Sequence, residues 1–381
     1  MEPRQEPPQG VALFAWVKQQ LLESIARGEF TPDQPFVTQR EIVERYAVST
    51  TTAVRALNEL VADGVVVRRR GLGTFVAPRP AQEPRSAPSG QRVLTYVSPD
   101  AGSQHESVLL SGLAAESAEL GYRVAVEHTR NLGHEELVLR GIAAAGTHGS
   151  GTQAVVLFAR DRSTAADVLD DLRRAGVVVV VVDRYFPGQP TDAVLFDDFA
   201  VGYDVTTTMI ERGHSALGAL WSETDVTSVR DRLSGHYRAL RDNGLPELPE
   251  RSALRIYDGL DPALRQQRLR SWLESDAKLT GLICGNATTL ALAVSDMLAM
   301  DTGFAGAVEL ASMDQSLPFD VSPLAVAAAR LPTREMGQEA ARLAHERIEG
   351  STAPLRHVVL RAQVQIADRG SNTLGVIGAG H

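Results

Sequence analysis

The sequence predicts an α/β protein in two folded parts. A small N-terminal unit has three helices closed by a β-hairpin, and a larger part has parallel sheets divided between two lobes. Three observations carry this. Residues 77–92, APRPAQEPRSAPSGQR, are rich in Pro, Ser and Ala without apolar periodicity, which reads as a linker. Ahead of it, helical periodicity gives way to two short β-runs. Behind it, apolar runs of strand type alternate with helical patterns. At 381 residues, 44% hydrophobic and 22% charged, the chain has the length for two or three domains and an ordinary globular composition.

The first helix is read from VKQQLLESIARGEF, where Val17, Leu21, Leu22 and Ile25 form one stripe and Gly28 closes it. Thr38 precedes QREIVERYA with Glu41 three residues on, the pattern of a capping box. Ser49 caps the third helix, which ends at Gly64. VVVRRRGLGTFVA then reads as a hairpin around Gly71 and Gly73. Three helices and a hairpin make a winged helix.

On the third helix Ala53, Ala56, Leu57, Leu60 and Val61 share one face and belong to the core. The other side then displays Thr50, Thr51, Val54, Arg55 and Asn58, with Ser49 and Thr52 at its start, where backbone N–H groups also meet phosphate. Small hydroxyls beside Arg and Asn suit a helix in a major groove, and equally an ordinary capped surface helix. The hairpin tips the balance. Arg68, Arg69 and Arg70 run into Gly71, whose missing side chain lets backbone approach a phosphate or a minor groove.

In the larger part seven runs read as strands: VLTYVS, YRVAVEHT, AVVLFA, VVVVVVD, ALGALW, GLICG and VELASM. SVLLSGLAAESAELG and TAADVLDDLRRAG are among the helical patterns between them. Repeated βα units imply parallel sheets with right-handed crossovers, and ligands bind at the carboxyl ends of such strands. With two lobes, that places a site in the cleft between them.

Net charge is −9, which alone argues against nucleic acid, but residues 1–92 carry 12 Lys+Arg against 10 Asp+Glu. The front is mildly basic and the back acidic, an asymmetry that permits DNA binding at the front. The single cysteine, Cys284, excludes a disulfide framework and a Cys-based metal cluster. No signal-peptide pattern and no apolar run of membrane-spanning length occurs, so a cytoplasmic location without membrane contact is expected. No GxSxG, HExxH, P-loop or GxGxxG after a strand occurs, and the nine histidines show no metal-ligand spacing. We therefore expect no catalytic residues, no metal and no cofactor.

Residues 12–77 resemble the winged helix of the GntR family through VKQQLLESIARGEF, TQREIVERYAVSTTT, RALNELVADGVV and RRRGLGTFVA. The resemblance implies that Arg40 and the hydroxyls of Ser49, Thr50, Thr51 and Thr52 contact phosphate or base, and that Lys18, Arg70 and Gly71 grip the backbone. Thr50 and Val54 stand where the family often has arginine, and Phe36-Val37 where it usually has Leu-Pro. Val54 is accordingly expected to read a thymine methyl, and Thr50 a phosphate or base edge, on an operator richer in A·T.

From about Val93 to Gly370 the chain resembles LacI/GalR regulators, whose sensor is built like a periplasmic sugar-binding protein of type I. The matching stretches are VVDRYFPG, FDDFAVGYDVTTTMIERGH, DVTSVRDRLSGHYRALRDNGLP and LICGNATTLAL. The joining of the two resembles arabinose repressors. The resemblance implies ligand contacts at His105 and Glu106 in the loop after the first strand, and at Asp183, Arg232, Asn286 and Asp314. Asp197 matches an acidic residue near the lobe crossover. Asp, Asn and Arg supply the donors and acceptors that sugar hydroxyls need. Plainer readings stand beside these. Asp183 caps a turn before Pro187, Asp314 is a loop carboxylate, and Arg232 pairs with Asp231 or Glu223. Ala287 stands where the family usually has Asp, and His105-Glu106 replaces an aromatic pair. Arg160, Asp161 and Arg162 add charge at the cleft mouth, which opens an acidic or phosphorylated sugar as an alternative.

The boundaries expected are 1–77 for the winged helix, 78–92 for the linker, 93–370 for the two-lobed part and 371–381 for a tail. The expected function is a transcriptional regulator, a repressor controlled by a sugar or sugar derivative, with double-stranded DNA as partner and a homodimer as the assembly. The alternatives are an activator or a sensor of a non-sugar ligand, and further off a solute-binding protein or an enzyme.

Overall fold

The computed structural model describes residues 13–26, 30, 34–62, 65–69, 73–76, 92–99, 103–146, 152–160, 166–275, 278–300, 308–314 and 325–367. The linker from 78 to 91, the tail, Gly28, Gly64, Arg70, Gly71, Asp161 and Arg162 lie outside them. The first elements are α1 (Leu13–Ala26), α2 (Gln39–Tyr46), α3 (Thr50–Ala62), β1 (Val66–Arg69) and β2 (Gly73–Val76). Then come β3 (Arg92–Ser98), α4 (Gln104–Glu119), β4 (Tyr122–His128), α5 (Leu132–Gly146), β5 (Thr152–Leu157), α6 (Ala166–Arg174), β6 (Val178–Val182) and β7 (Asp192–Phe196). They are followed by α7 (Asp198–Glu211), β8 (Leu217–Leu220), α8 (Thr227–Asp242), α9 (Pro249–Ser252), α10 (Pro262–Leu273), β9 (Gly281–Cys284) and α11 (Ala287–Ala299). The last are β10 (Glu309–Ser312), β11 (Ala325–Arg330), α12 (Thr333–Ile348), β12 (His357–Leu360) and β13 (Gln363–Ile366).

The described residues fall into two compact units, one within 1–101 and 121–179, the other within 102–120 and 180–381. In the first, α1, α2 and α3 close on Val17, Leu21, Ile42, Ala53, Leu57 and Leu60, all buried. Ile25 and Val61, expected in this core, are half-buried at its margin. β1 and β2 pair antiparallel from Val66↔Val76 to Arg69↔Gly73, so Gly73 belongs to a strand and not to the tip. A third segment joins them: Pro35 bridges Phe75, and the Phe36 N–H donates to the Thr74 carbonyl at 2.7 Å. This segment precedes α2 and has no strand periodicity, so only the fold brings it to the hairpin. The same unit holds β3 between β4 and β5, all parallel.

In the second unit β6, β7 and β12 pair in parallel, and a five-stranded sheet runs in the order β13-β11-β10-β9-β8. That sheet is parallel except for β13, which runs antiparallel to β11. Buried side chains on both of its faces account for the continuously buried runs LIC and LAS, because helices cover a parallel sheet on either side. All seven expected strands form. β7, β11, β12 and β13 escape the sequence reading, since DAVLF is short, AVAAAR is mostly alanine, and HVVL and QVQI lie at sheet margins with exposed side chains.

Two helix pairs in this unit touch backbone to backbone. A Cβ on Gly202 of α7 would sit 1.9 Å from the Arg232 carbonyl oxygen of α8, and one on Gly235 would sit 2.1 Å from that of Phe199. Gly112 of α4 and Gly337 of α12 stand in the same relation, at 2.0 Å from the Arg334 oxygen and 2.2 Å from the Leu109 oxygen. The glycines therefore fix how close these helices lie.

Candidate functional site

Two surfaces collect the residues singled out by sequence. The first surrounds α3. Thr38 caps α2, its hydroxyl accepting from the Glu41 N–H at 3.3 Å, while the Glu41 carboxylate accepts from the Thr38 N–H at 2.6 Å. The Thr38 backbone bond is the main reason Glu41 titrates below the usual carboxylate range. Ser49 caps α3 by accepting from the Thr52 N–H at 3.2 Å, and its hydroxyl shares a hydrogen bond with that of Thr52 at 2.8 Å. These bonds hold the starts of both helices in position. Ser49, Thr50 and Thr51 are exposed, and Thr52 and Val54 are half-buried. Arg40 is 88% exposed and Thr50 shares a groove with it, about 610 Å³ in volume, floored by Phe36, Val43 and Leu57 and edged by Thr74 of the hairpin.

Two of the cations expected at DNA have partners within the protein. Arg55 lies over the Phe14 ring at 3.7 Å from its centroid, with Nε 3.5 Å from Glu59. Lys18 places Nζ 3.3 Å from the other oxygen of the same carboxylate. Glu59, which the sequence reading passed over, therefore sets where both cations stand. Arg55 points along α3 toward α1, because only the fold brings the Phe14 ring under it. Arg40 pairs with Glu44 at 2.8 Å, but this pair is on the open surface, where such contacts are weak.

The second surface lies at the carboxyl ends of β6, β8, β9 and β10, with the start of α7 and of α8. Arg232, in the second turn of α8, is buried. Its Nε donates to Asp198 at 2.7 Å and its Nη1 to the Gly285 carbonyl at 2.8 Å. Burying a guanidinium is costly unless its charge is met, and here Asp198 meets it while the Gly285 carbonyl takes a second donor. The partner is Asp198, neither Asp231 nor Glu223. Burial raises the Asp198 carboxyl above the ordinary aspartate range, while Arg232 at 2.7 Å pulls the other way and favours its charged form. Asp183 and Asp314 also act on the Arg232 charge through space.

Asp183 follows β6 with φ +70°, a conformation that side chains rarely adopt, and is buried. Its N–H donates to the Val194 carbonyl at 3.0 Å, which holds the strand end in this shape. Its carboxylate accepts from the neighbouring Arg184 at 3.3 Å, so it is paired and does not act as a turn cap. Arg184 is itself buried and reaches Glu223 through both terminal nitrogens, at 3.2 and 3.3 Å. Next to it Tyr185 is half-buried, lies in the field of Asp231, and donates its backbone N–H to the Thr227 hydroxyl at 3.0 Å. Burial raises Asp231 above the ordinary aspartate range.

The remaining candidates have structural partners. Asn286 caps α11: its oxygen accepts from the Thr289 N–H at 2.8 Å and its amide donates to Ser222. Asp314 follows β10, where its backbone brackets the Ser312 hydroxyl at 2.8 and 3.3 Å. His105 and Glu106 are not in a loop but in the first turn of α4, whose cap Ser103 accepts from the Glu106 N–H at 3.1 Å. Glu106 is buried, and the His105 ring meets Phe196 edge-on at 6.1 Å. Asp197 caps α7 by accepting from the Ala200 N–H at 2.9 Å, and it is the next residue that faces Arg232. In the first unit Arg160 does not project as a free charge. Its Nη2 donates to the Thr129 carbonyl at 2.7 Å, while its own N–H donates to the buried Glu135 at 3.0 Å.

Asp198, Arg184 and Tyr185 are the residues that sequence reasoning missed, while Glu223 and Asp231 entered it only as partners for Arg232. One signal was available for Asp198. Where two acids precede a helix, the first caps it, and the second is then carried on the helix toward whatever packs beside it. Nothing comparable marks Arg184, whose burial comes from the fold alone. Among the described residues no group of His, Cys, Asp and Glu has the arrangement of a metal site. No helix among them is long and apolar enough to cross a membrane.

Residues 14–76 match the family model of bacterial regulatory proteins, gntR family, and residues 206–371 match that of the periplasmic binding protein-like domain. The arabinose metabolism transcriptional repressor of Halalkalibacterium halodurans is 24% identical over 331 residues, which is 87% of this chain and 88% of that protein. The histidine utilization repressor of Pseudomonas putida is 43% identical over 65 residues, 17% of this chain and 26% of that one. Among solved structures, the complex of the transcriptional regulator CelR with cellobiose covers 91% of this chain and 98% of its own, with TM-score 0.62 and 18% identity. A LacI family transcriptional regulator from Enterococcus faecium with bound ribose covers 74% and 99%, with TM-score 0.59 and 18% identity. At these identities the solved structures speak for the fold.

Proposed function

From a chain that joins a gntR-family DNA-binding head to a periplasmic binding protein-like domain, we propose a transcriptional repressor whose hold on DNA is set by a small carbohydrate-type effector. The observation that carries this is the buried Arg232. It is held by Asp198 and the Gly285 carbonyl at the carboxyl ends of parallel strands, in the same chain as a winged helix with a capped, exposed α3. Binding a saccharide needs fixed donors and acceptors and no chemistry, and strand-end side chains supply them with little reorganisation. The family models and relatives are regulatory proteins and not enzymes.

In this reading α3 enters the major groove. Ser49, Thr50, Thr51 and Val54 approach base edges, Arg40 approaches the flanking phosphates, and Arg70 and Gly71 follow the minor groove. Lys18 and Arg55 contribute charge from their places around Glu59. Asp183, Arg232 and Asp314 form the centre of the effector site. Asn286 shapes its wall, and His105 and Glu106 belong to its rim. A homodimer with two-fold symmetry presents two heads to two half-sites. Effector shifts DNA affinity only by binding one of two states better than the other.

The test is a mobility-shift titration on the DNA upstream of the protein's own gene, with L-arabinose, D-ribose and cellobiose added in turn. L-arabinose comes first because the relative aligned along most of the chain is an arabinose metabolism repressor. The expected result is a complex of two chains per operator that at least one sugar dissociates. A protein that binds no upstream DNA, or whose complex no small molecule alters, contradicts the reading.

A further inference from the structure

We propose that the effector carries no net negative charge: the site takes neutral or amino-bearing polyhydroxy compounds and rejects sugar phosphates and sugar acids. This rests on the reading of the strand-end cluster as the effector site. Both of its guanidiniums already have carboxylate partners. Arg184 is buried with Asp183 at 3.3 Å and Glu223 at 3.2 Å, and Arg232 is buried with Asp198 at 2.7 Å. Asp314 adds its charge to the field at Arg232, and Asp231 adds its charge to the field at Asp198 and Tyr185. Among the described residues, then, five carboxylates surround two arginines.

A phosphate or carboxylate entering such a site would need cations to meet it. Bidentate recognition of an anion takes a guanidinium edge with parallel N–H donors. Arg184 spends its terminal nitrogens on Glu223. Arg232 spends Nε on Asp198 and Nη1 on the Gly285 carbonyl. Freeing Arg232 leaves the buried Asp198 unpaired, and freeing Arg184 leaves the buried Asp183 and the partly exposed Glu223 without their cation, which adds to the cost of bringing in a further negative charge. Of the two arginines that suggested an anionic ligand, Arg160 donates to the Thr129 carbonyl, and Arg162 lies outside the described residues. Hydroxyl groups meet no such barrier, since carboxylates accept from them and a guanidinium donates to them. An ammonium group gains directly from the surplus of acid.

Two measurements decide this, and they fail separately. The first is a thermal-shift panel on the full chain with matched compounds: D-glucose, D-glucosamine, D-glucose 6-phosphate and D-glucuronate, and the same logic for ribose and galactose. Any member that binds should be neutral or amino-bearing, and its anionic counterpart should be at least ten times weaker. An anionic sugar that binds as well as its neutral counterpart overturns the proposal. A panel with no binder at all counts against the carbohydrate reading, and the charge question then rests on the second measurement.

That measurement needs no ligand. The one native cysteine, Cys284, is fully buried and serves as an inert background. Tyr185→Cys puts a thiol next in the chain to Arg184 and in the field of Asp231. Its rates with a trimethylammonium-bearing and a sulfonate-bearing methanethiosulfonate are compared, each normalised to a free thiol. A cleft lined by one sign of charge concentrates the opposite ion about tenfold or more, so the cationic reagent should react about ten times faster. Equal rates, or a faster sulfonate, overturn the proposal. Should Tyr185→Cys fold poorly, Thr224→Cys, beside Glu223 and half-buried, reads the same field.

Discussion

The Asp198–Arg232 contact lies at the centre of the proposed effector site, and its energetics can be tested one residue at a time. Removing one member of a buried pair strands the other, whereas removing both costs far less. Asp198→Ala should destabilise the protein by about 3–5 kcal/mol, and Asp198→Ala/Arg232→Met should recover much of that. Urea unfolding of the two variants checks it, and equal losses in both would contradict the pairing. Glu309 shows the opposite case, an ion pair near the surface. Bonding to Arg212, then to His214, holds its carboxyl down at about 2, below an ordinary value of 4.5. A depressed pKa contributes stability above the unfolded value and loses it as pH falls toward the folded one. The Glu309 side chain is 38% exposed, so solvent screening leaves roughly 1 kcal/mol. Glu309→Gln should therefore lower stability near pH 7 and match the parent near pH 2, as followed by thermal unfolding across pH.

Helices α7 and α8 carry the two halves of that contact, and the Gly202 and Gly235 crossings set their spacing. Gly202→Ala places a Cβ 1.9 Å from a carbonyl oxygen, and backbone cannot move aside as a side chain can. The helix gains up to about 1 kcal/mol in propensity and loses about 1–3 kcal/mol or more to overpacking. Because α8 must shift, the Arg232 guanidinium should leave Asp198, and effector affinity should fall at least tenfold while DNA binding without effector is kept. Gly112→Ala, at the α4–α12 crossing, supplies the control: a similar loss of stability with effector affinity unchanged. Calorimetric titration with the sugar found active on the operator complex separates the two. Among the elements of the head, α2 and α3 were legible as capped helices because Thr38 with Glu41 and Ser49 with Thr52 act over three residues.

Across the whole molecule, a sensor can alter DNA affinity only if its two states present the heads differently. Residues 79–90 are rich in Pro, and a Pro-rich tether passes on geometry better than a freely jointed one. Replacing them with a Gly/Ser segment of twice the length should leave operator binding in place and abolish its response to effector. Unchanged release by sugar in a mobility shift would mean that coupling does not run through the tether. The acidic balance of the chain behind residue 92 also has a consequence at this scale. It makes the strand-end cluster one part of a negative field and leaves DNA contact to the mildly basic front.

Sequence by itself determined the order of elements, the winged helix, the seven main strands and the class of regulator, because each rests on periodicity, caps or a continuous motif. It also named Arg232 and Asp183. Tertiary structure decided what those residues touch. Asp198 lies 34 residues from Arg232 and the Gly285 carbonyl lies 53 residues away, so no local pattern links them. It moved His105 and Glu106 from a loop into a helix, turned Asn286 into a helix cap and tied Arg55 to Phe14. It also turned the ligand question from an added arginine toward a surplus of acid. Burial and pairing depend on neighbours distant in the chain, and a single sequence carries the neighbours' identities without their distances.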